Sequence, residues 1–168
     1  RHAHEMGRQI SEEAKAKRRE RREEVLSLRP PARFKTVLEA AKAAELESAG
    51  WIVLTERALR TANESNYIDP DYVFRALVDL GKAAKQNAQN RGLGMSWSEY
   101  LGQLGSHDYS PNSSSDTIKR YPKEYHVRHQ SADHCIGAHI RQGNGSADEC
   151  LRIYLAQPRE PGSPVIIG

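Results

Sequence analysis

The stretch Cys135-Ile136-Gly137-Ala138-His139-Ile140-Arg141-Gln142-Gly143-Asn144-Gly145-Ser146, with Leu151-Arg152-Ile153-Tyr154-Leu155 after it, decides the fold. Ile136, Ala138 and Ile140 alternate with Cys135, Gly137, His139 and Arg141, and Leu151, Ile153 and Leu155 alternate with Arg152 and Tyr154. A period of two belongs to a strand with one buried face. Gln142 to Ser146 reads as the turn between two such strands. Upstream, Tyr125 and Val127 alternate with Glu124, His126 and Arg128; downstream, Val165-Ile166-Ile167 begins another strand. The expectation is three or four short antiparallel strands in a meander.

Before Gly105 the period is helical. Phe34, Val37, Leu38, Ala41 and Ala44 recur at helical spacing, Gly50 interrupts, and Trp51, Leu54, Ala58 and Leu59 continue the pattern to about Asn63. Asp69-Pro70 is an N-cap followed by proline at the first helical position. Val73, Phe74, Leu77, Leu80, Gly81, Ala84 and Ala88 then form one stripe. Ser96-Trp97-Ser98-Glu99 has the form of a capping box and opens a short helix through Leu104. Residues 105–116, with Pro111 and Ser113-Ser114-Ser115, read as a polar loop. The fold class expected is therefore α+β: a helical N-terminal two-thirds followed by a small antiparallel β-sheet. The parts are a charged helix (1–29), a helical part (30–105) and a β part (106–168) that shares a core with the helices.

The N-terminal part is unlike the rest. Residues 1–29 carry nine Lys/Arg and six Glu, whereas 30–105 and 106–168 are each balanced. Ser11 followed by Glu12 and Glu13 reads as an N-cap with acids at the positive end of the helix dipole. Glu13 and Lys17 are four residues apart in the favourable order, and Arg29-Pro30-Pro31 stops the helix. With no apolar stripe, this helix is expected to stand in solvent or lie along a protein partner.

The chain has 168 residues, 38% apolar and 28% charged, which suits one domain or two very small ones. The longest apolar run, Trp51 to Leu54, is far short of the ~20 residues of a membrane span. Cys135 and Cys150 are the only cysteines. Two thiols without a signal peptide suggest a reducing, cytoplasmic setting. The first residue is Arg1 and the last four are Val165 to Gly168, which reads as an ordered piece of a longer polypeptide.

Strand parity supplies the candidate site. If Val127, Ile136, Ile140 and Ile153 face the helices, the other face carries His126, Arg128, His139, Arg141, Arg152 and Tyr154. Guanidiniums hold phosphates bidentately, imidazoles move protons near neutral pH and a tyrosine stacks on a base. His126, His139 and Arg152 are the candidate catalytic residues of a metal-independent ribonuclease, and Arg128, Arg141 and Tyr154 the candidate RNA contacts. The plainer alternative is a solvated face whose arginines pair with Glu124, Asp148 or Glu149. No metal or other cofactor is expected. His134, Cys135, His139 and Cys150 lack a close ligand pair, and His134 and His139 fall on opposite sides of a regular strand. Gly92-Leu93-Gly94 lacks the lysine and preceding strand of a phosphate loop.

Helices followed by a small sheet bearing Arg128, Arg141, Arg152 and Tyr154 resembles the layout of RelE-type toxins, over about residues 50–168. The resemblance implies an mRNA-cleaving activity. The chain departs from that family in charge, because RelE-type proteins are strongly basic and residues 30–168 are neutral overall. Separately, His139-Ile140-Arg141, Leu151-Arg152-Ile153-Tyr154-Leu155 and Val165-Ile166-Ile167-Gly168 are similar to the C-terminal part of uncharacterised bacterial proteins, some among mobile-element or phage-defence genes. This resemblance implies a bacterial cytoplasmic setting. Two functions follow as expectations: a non-catalytic interaction module that docks a protein through the charged helix, and a RelE-like RNA-binding or RNA-cleaving protein.

Overall fold

The computed structural model describes residues 31–168 and, ahead of them, 14–17, 19–21, 23, 24 and 27. The chain forms two units, Arg1–Ala32 and Arg33–Gly168. In the first, the described residues from 14 to 27 are helical and exposed, and Arg19 pairs with Glu23 at 3.2 Å. The N-cap expected at Ser11, and Glu13 of the expected Glu13–Lys17 pair, lie outside the described residues.

The second unit is α+β. Helix α1 (Val37–Glu47) is capped by the Thr36 side chain and buries Val37, Ala40, Ala41 and Ala44. The helical pattern then breaks where it was expected to continue. Ala49 and Gly50 take positive φ, and Ile52–Leu54 is strand β1. A second helix, α2 (Glu56–Glu64), is capped by Thr55. The reason is distant in sequence: β1 lies parallel to β7 (Val165–Ile167), with Ile52 beside Val165 and Leu54 beside Ile167.

Helix α3 (Pro70–Gln89) starts as its sequence dictates, the Asp69 side chain accepting the Tyr72 amide. It lies so close to α1 that a Cβ on Gly81 would stand 2.6 Å from Ser48 Oγ. Helix α4 (Trp97–Gly105) carries both hydrogen bonds of its capping box. The segment expected as loop holds strand β2 (Asp108–Ser110) and helix α5 (Ser115–Arg120), which Ser114 caps. A single turn, α6 (Pro122–Tyr125), leads into β3 (His126–His129).

The expected strand through 135–141 is two strands, β4 (Ala132–Cys135) and β5 (Ala138–Gln142), interrupted at Ile136-Gly137. Strands β3 and β4 form a separate hairpin. Its turn residues Gln130 and Ser131 both have positive φ, 47° and 64°, as a two-residue hairpin turn of the primed type requires. Strand β6 (Leu151–Ala156) completes a five-stranded sheet in the order β1-β7-β6-β5-β2. The sheet is mixed, not an antiparallel meander, because β1 is parallel to β7.

Alternation along each strand sorts the sheet into two faces. Ile52, Leu54, Tyr109, Ile140, Ile153, Leu155, Val165 and Ile167 join the helices in one apolar core. Ala156 and Ile166, on the other face, pack with Val127 and Ile136 in a smaller cluster. This corrects the expected parity: Ile140 and Ile153 face the helices, but Val127 and Ile136 cover the opposite face.

Candidate nucleic-acid interface

Four of the six expected site residues share the sheet face turned from the helices. His139 stands opposite Tyr154, and Arg141 opposite Arg152, in neighbouring rows of β5 and β6. The Gly168 amide donates to the Tyr154 carbonyl at 3.1 Å, so even-numbered residues of β6 bond toward β7. Arg141 and Arg152 therefore form a non-hydrogen-bonded pair on β5–β6, the kind in which opposed side chains come closest. Like charges so placed repel.

One carboxylate offsets that repulsion. Asp108 of β2 lies opposite Arg141, and its oxygens accept from Arg141 Nη2 at 3.0 and 3.3 Å. The sequence suggested Glu124, Asp148 or Glu149 for this role; the residue that fills it is Asp108, on a strand too short to show in the sequence. Arg152 is exposed and makes no ion pair or side-chain hydrogen bond among the described residues. Asp108, Arg141 and Arg152 line a cleft of about 880 Å³ together with the Gly143-Asn144-Gly145 turn. Gly143 has φ 72°, and a Cβ there would overlap the Glu149 carbonyl oxygen. The turn closes only with glycine at that position.

The neighbouring row is aromatic. The rings of His139 and Tyr154 are 5.3 Å apart, and Tyr125 meets Tyr154 edge-on at 5.6 Å. The hydrogen bond to Tyr154, with burial second, holds the Tyr125 phenol above the usual tyrosine range. His139 Nδ1 donates to the Gly137 carbonyl at 3.2 Å, which leaves Nε2 as the ring's acceptor.

His126 and Arg128 are on the β3–β4 hairpin and not on the five-stranded sheet. His126 is paired with Cys135 in register, and its Nδ1 donates to the Pro122 carbonyl at 2.9 Å. Arg128 lies 3.9 Å from Asp133, both largely exposed. The hairpin also carries His129 and His134, with rings 6.4 Å apart. Burial, then the Arg159 guanidinium, pushes the His134 imidazole below its ordinary value. No group of three His, Cys, Asp or Glu side chains able to hold a metal occurs among the described residues. None of their helices is long and apolar enough to cross a membrane.

Sequence reasoning missed a second polar cluster, inside the core. His107 Nε2 donates to Asp79 Oδ2 at 2.8 Å, and the Tyr72 hydroxyl donates to His107 Nδ1 at 3.0 Å. Lys82 reaches the other Asp79 oxygen at 3.0 Å. The His107 side chain is only 2% exposed. The apolar stripe carried no signal of it, because Asp79 lies off that stripe, on a second buried face of α3 with Tyr72, Ala76 and Ala83. No protein family, curated protein or solved structure matches this chain.

Proposed function

We propose that this chain is a non-catalytic interaction module whose recognition face is the Arg141–Arg152 cleft, and that the ligand suited to this face is single-stranded RNA. The observation that carries the reading is a pair of opposed guanidiniums served by one carboxylate. Such a pair is unfavourable by itself and becomes favourable when an anion bridges it. The aromatic row beside it supplies the second half of a nucleotide site, since bases stack on tyrosine and histidine rings while phosphates take the arginines. The exposed, stripe-free helix of the first unit is a second surface, suited to docking a protein partner in a bacterial cytoplasm.

Cleavage is the second reading, and His139 is what favours it. Its ring sits one row from the guanidinium pair with Nε2 available to take a proton. Binding is preferred because His126, the other candidate proton carrier, belongs to a different sheet.

The test is incubation of mixed single-stranded RNA with the protein, with and without EDTA, and with Arg152→Ala alongside. Retention without cleavage that Arg152→Ala weakens about tenfold, the scale of a charged hydrogen bond, supports the module. EDTA-resistant cleavage abolished by Arg152→Ala would make it a ribonuclease. Neither retention nor cleavage would refute both readings and leave the charged helix as the surface to pursue.

A further inference from the structure

Asp108 is placed with unusual care for a residue on a three-residue edge strand. Its chain predecessor, His107, is buried and held on both ring nitrogens by Asp79 and Tyr72. That anchor fixes the start of β2 and thereby the register that sets Asp108 opposite Arg141. Asp108, Arg141 and Arg152 follow one another across β2, β5 and β6 as a single row. The carboxylate thus occupies the place beside Arg141 that a ligand phosphate would take.

We propose that Asp108 is a built-in competitor anion, which holds Arg141 in reserve and sets the affinity of the cleft for phosphate. The inference rests on the reading of the Arg141–Arg152 face as a phosphate-binding surface. A carboxylate and a phosphate present the same kind of oxygen acceptor to a guanidinium, so one replaces the other without new geometry. The exchange is easy because the pair is wet: Arg141 is 50% and Asp108 60% exposed, and ion pairs so exposed are weak and screened. Arg152, with no carboxylate partner among the described residues, makes the first contact. Arg141 joins only when the ligand displaces Asp108. A ligand with a single weak charge is held by one guanidinium; a polyanion that reaches both gains the second.

Two properties of the molecule should consequently move in opposite directions when the carboxylate is removed. The fold loses the charge that offsets the arginine pair, and the site gains a free guanidinium. A residue with a purely structural role would weaken both.

The experiment uses the full chain and a fluorescently labelled oligouridine, with binding followed by anisotropy between about 50 and 200 mM salt, the range over which phosphate contacts show most clearly. Asp108→Asn is expected to bind about fivefold tighter, with the slope of log K against log salt steeper by about 0.7, one further phosphate contact on a single strand. In an Arg141→Ala background the same substitution should change affinity less than twofold. The melting temperature of Asp108→Asn should fall. Unchanged or weaker binding by Asp108→Asn, while Arg152→Ala still weakens binding, overturns the competitor role and leaves the underlying site intact. Binding that ignores Arg152→Ala, or no binding at all, overturns the underlying site itself.

Discussion

His107 illustrates how much one residue decides. It is buried, its two nitrogens are both engaged, and it links α3 to the first residue of β2. Replacing it with alanine strips Asp79 of its buried partner and leaves only Lys82. His107→Ala should cost about 2–3 kcal/mol, because a carboxylate left short of partners in the interior is expensive. Tyr72→Phe, which removes one neutral hydrogen bond, should cost about 1 kcal/mol. Urea unfolding of both variants checks the ratio. Ser48 presents the reverse situation: its hydroxyl is buried against Gly81 without a hydrogen-bond partner among the described residues. Ser48→Ala removes that orphan, and should raise stability by about 1 kcal/mol.

Asp71 supplies a pH dependence with a defined sign. Its carboxylate accepts the Arg33 and Phe34 amides at 2.9 Å each. The Arg33 amide holds its pKa below the ordinary value of 3.8, against the upward push of desolvation. The folded pKa is therefore depressed, so the contribution is present above the unfolded value and is lost as pH falls through the folded one. Asp71→Asn should lose less stability than the wild type when the pH is lowered from about 5 to about 3. The difference will be small, since this carboxylate is largely hydrated.

At the scale of elements, the β3–β4 hairpin turns on two residues poorly suited to it. Gln130 and Ser131 sit in the left-handed region that favours Asn and Gly. The double substitution Gln130→Asn with Ser131→Gly should stabilise the protein by about 1 kcal/mol, read as a raised melting temperature. The same hairpin shows where sequence reasoning succeeds and stops. Helices announced themselves through local chemistry: Asp69-Pro70 and the Ser96–Glu99 box are complete signals within four residues. Strands β5 and β6 announced themselves by alternation, and with them the rows that bring His139, Tyr154, Arg141 and Arg152 together. What escaped was short or long-range. Strand β1 is three residues whose only reason to be extended is β7, more than a hundred positions later. Strand β2, equally short, carries Asp108, so the counter-charge of the site was hidden with it. Ile136-Gly137 interrupts an alternating run without breaking its period, and that concealed the transfer of His126 and Arg128 to a separate hairpin.

For the molecule as a whole, the apolar core among the described residues runs from Phe34 onward, with Val37 its first buried member. Helices α1 to α6 and the five-stranded sheet all belong to the second unit, Arg33–Gly168. A protein consisting of residues 33–168 should unfold in a single cooperative transition within about 2 °C of the full chain's melting temperature, by calorimetry, as a segment outside the cooperative unit adds little to it. If the charged segment is the partner-docking surface, this shortened protein should keep the Arg152-dependent affinity for RNA and lose the protein partner.

The parallel pairing of β1 with β7 also sets a timetable. Ile52 leaves the ribosome long before Val165, and at roughly 5–20 residues per second the wait is roughly 6–23 s. During that time β1 has no neighbour on that side, and the helices made just after it have no complete sheet to cover. The nascent chain cannot complete the sheet beneath its helices until Val165 to Ile167 emerge, since β7 is the strand that joins β1 to β6. Throughout that interval the facing edges of β1 and β6 stay open, and β7 closes both as the last strand to arrive.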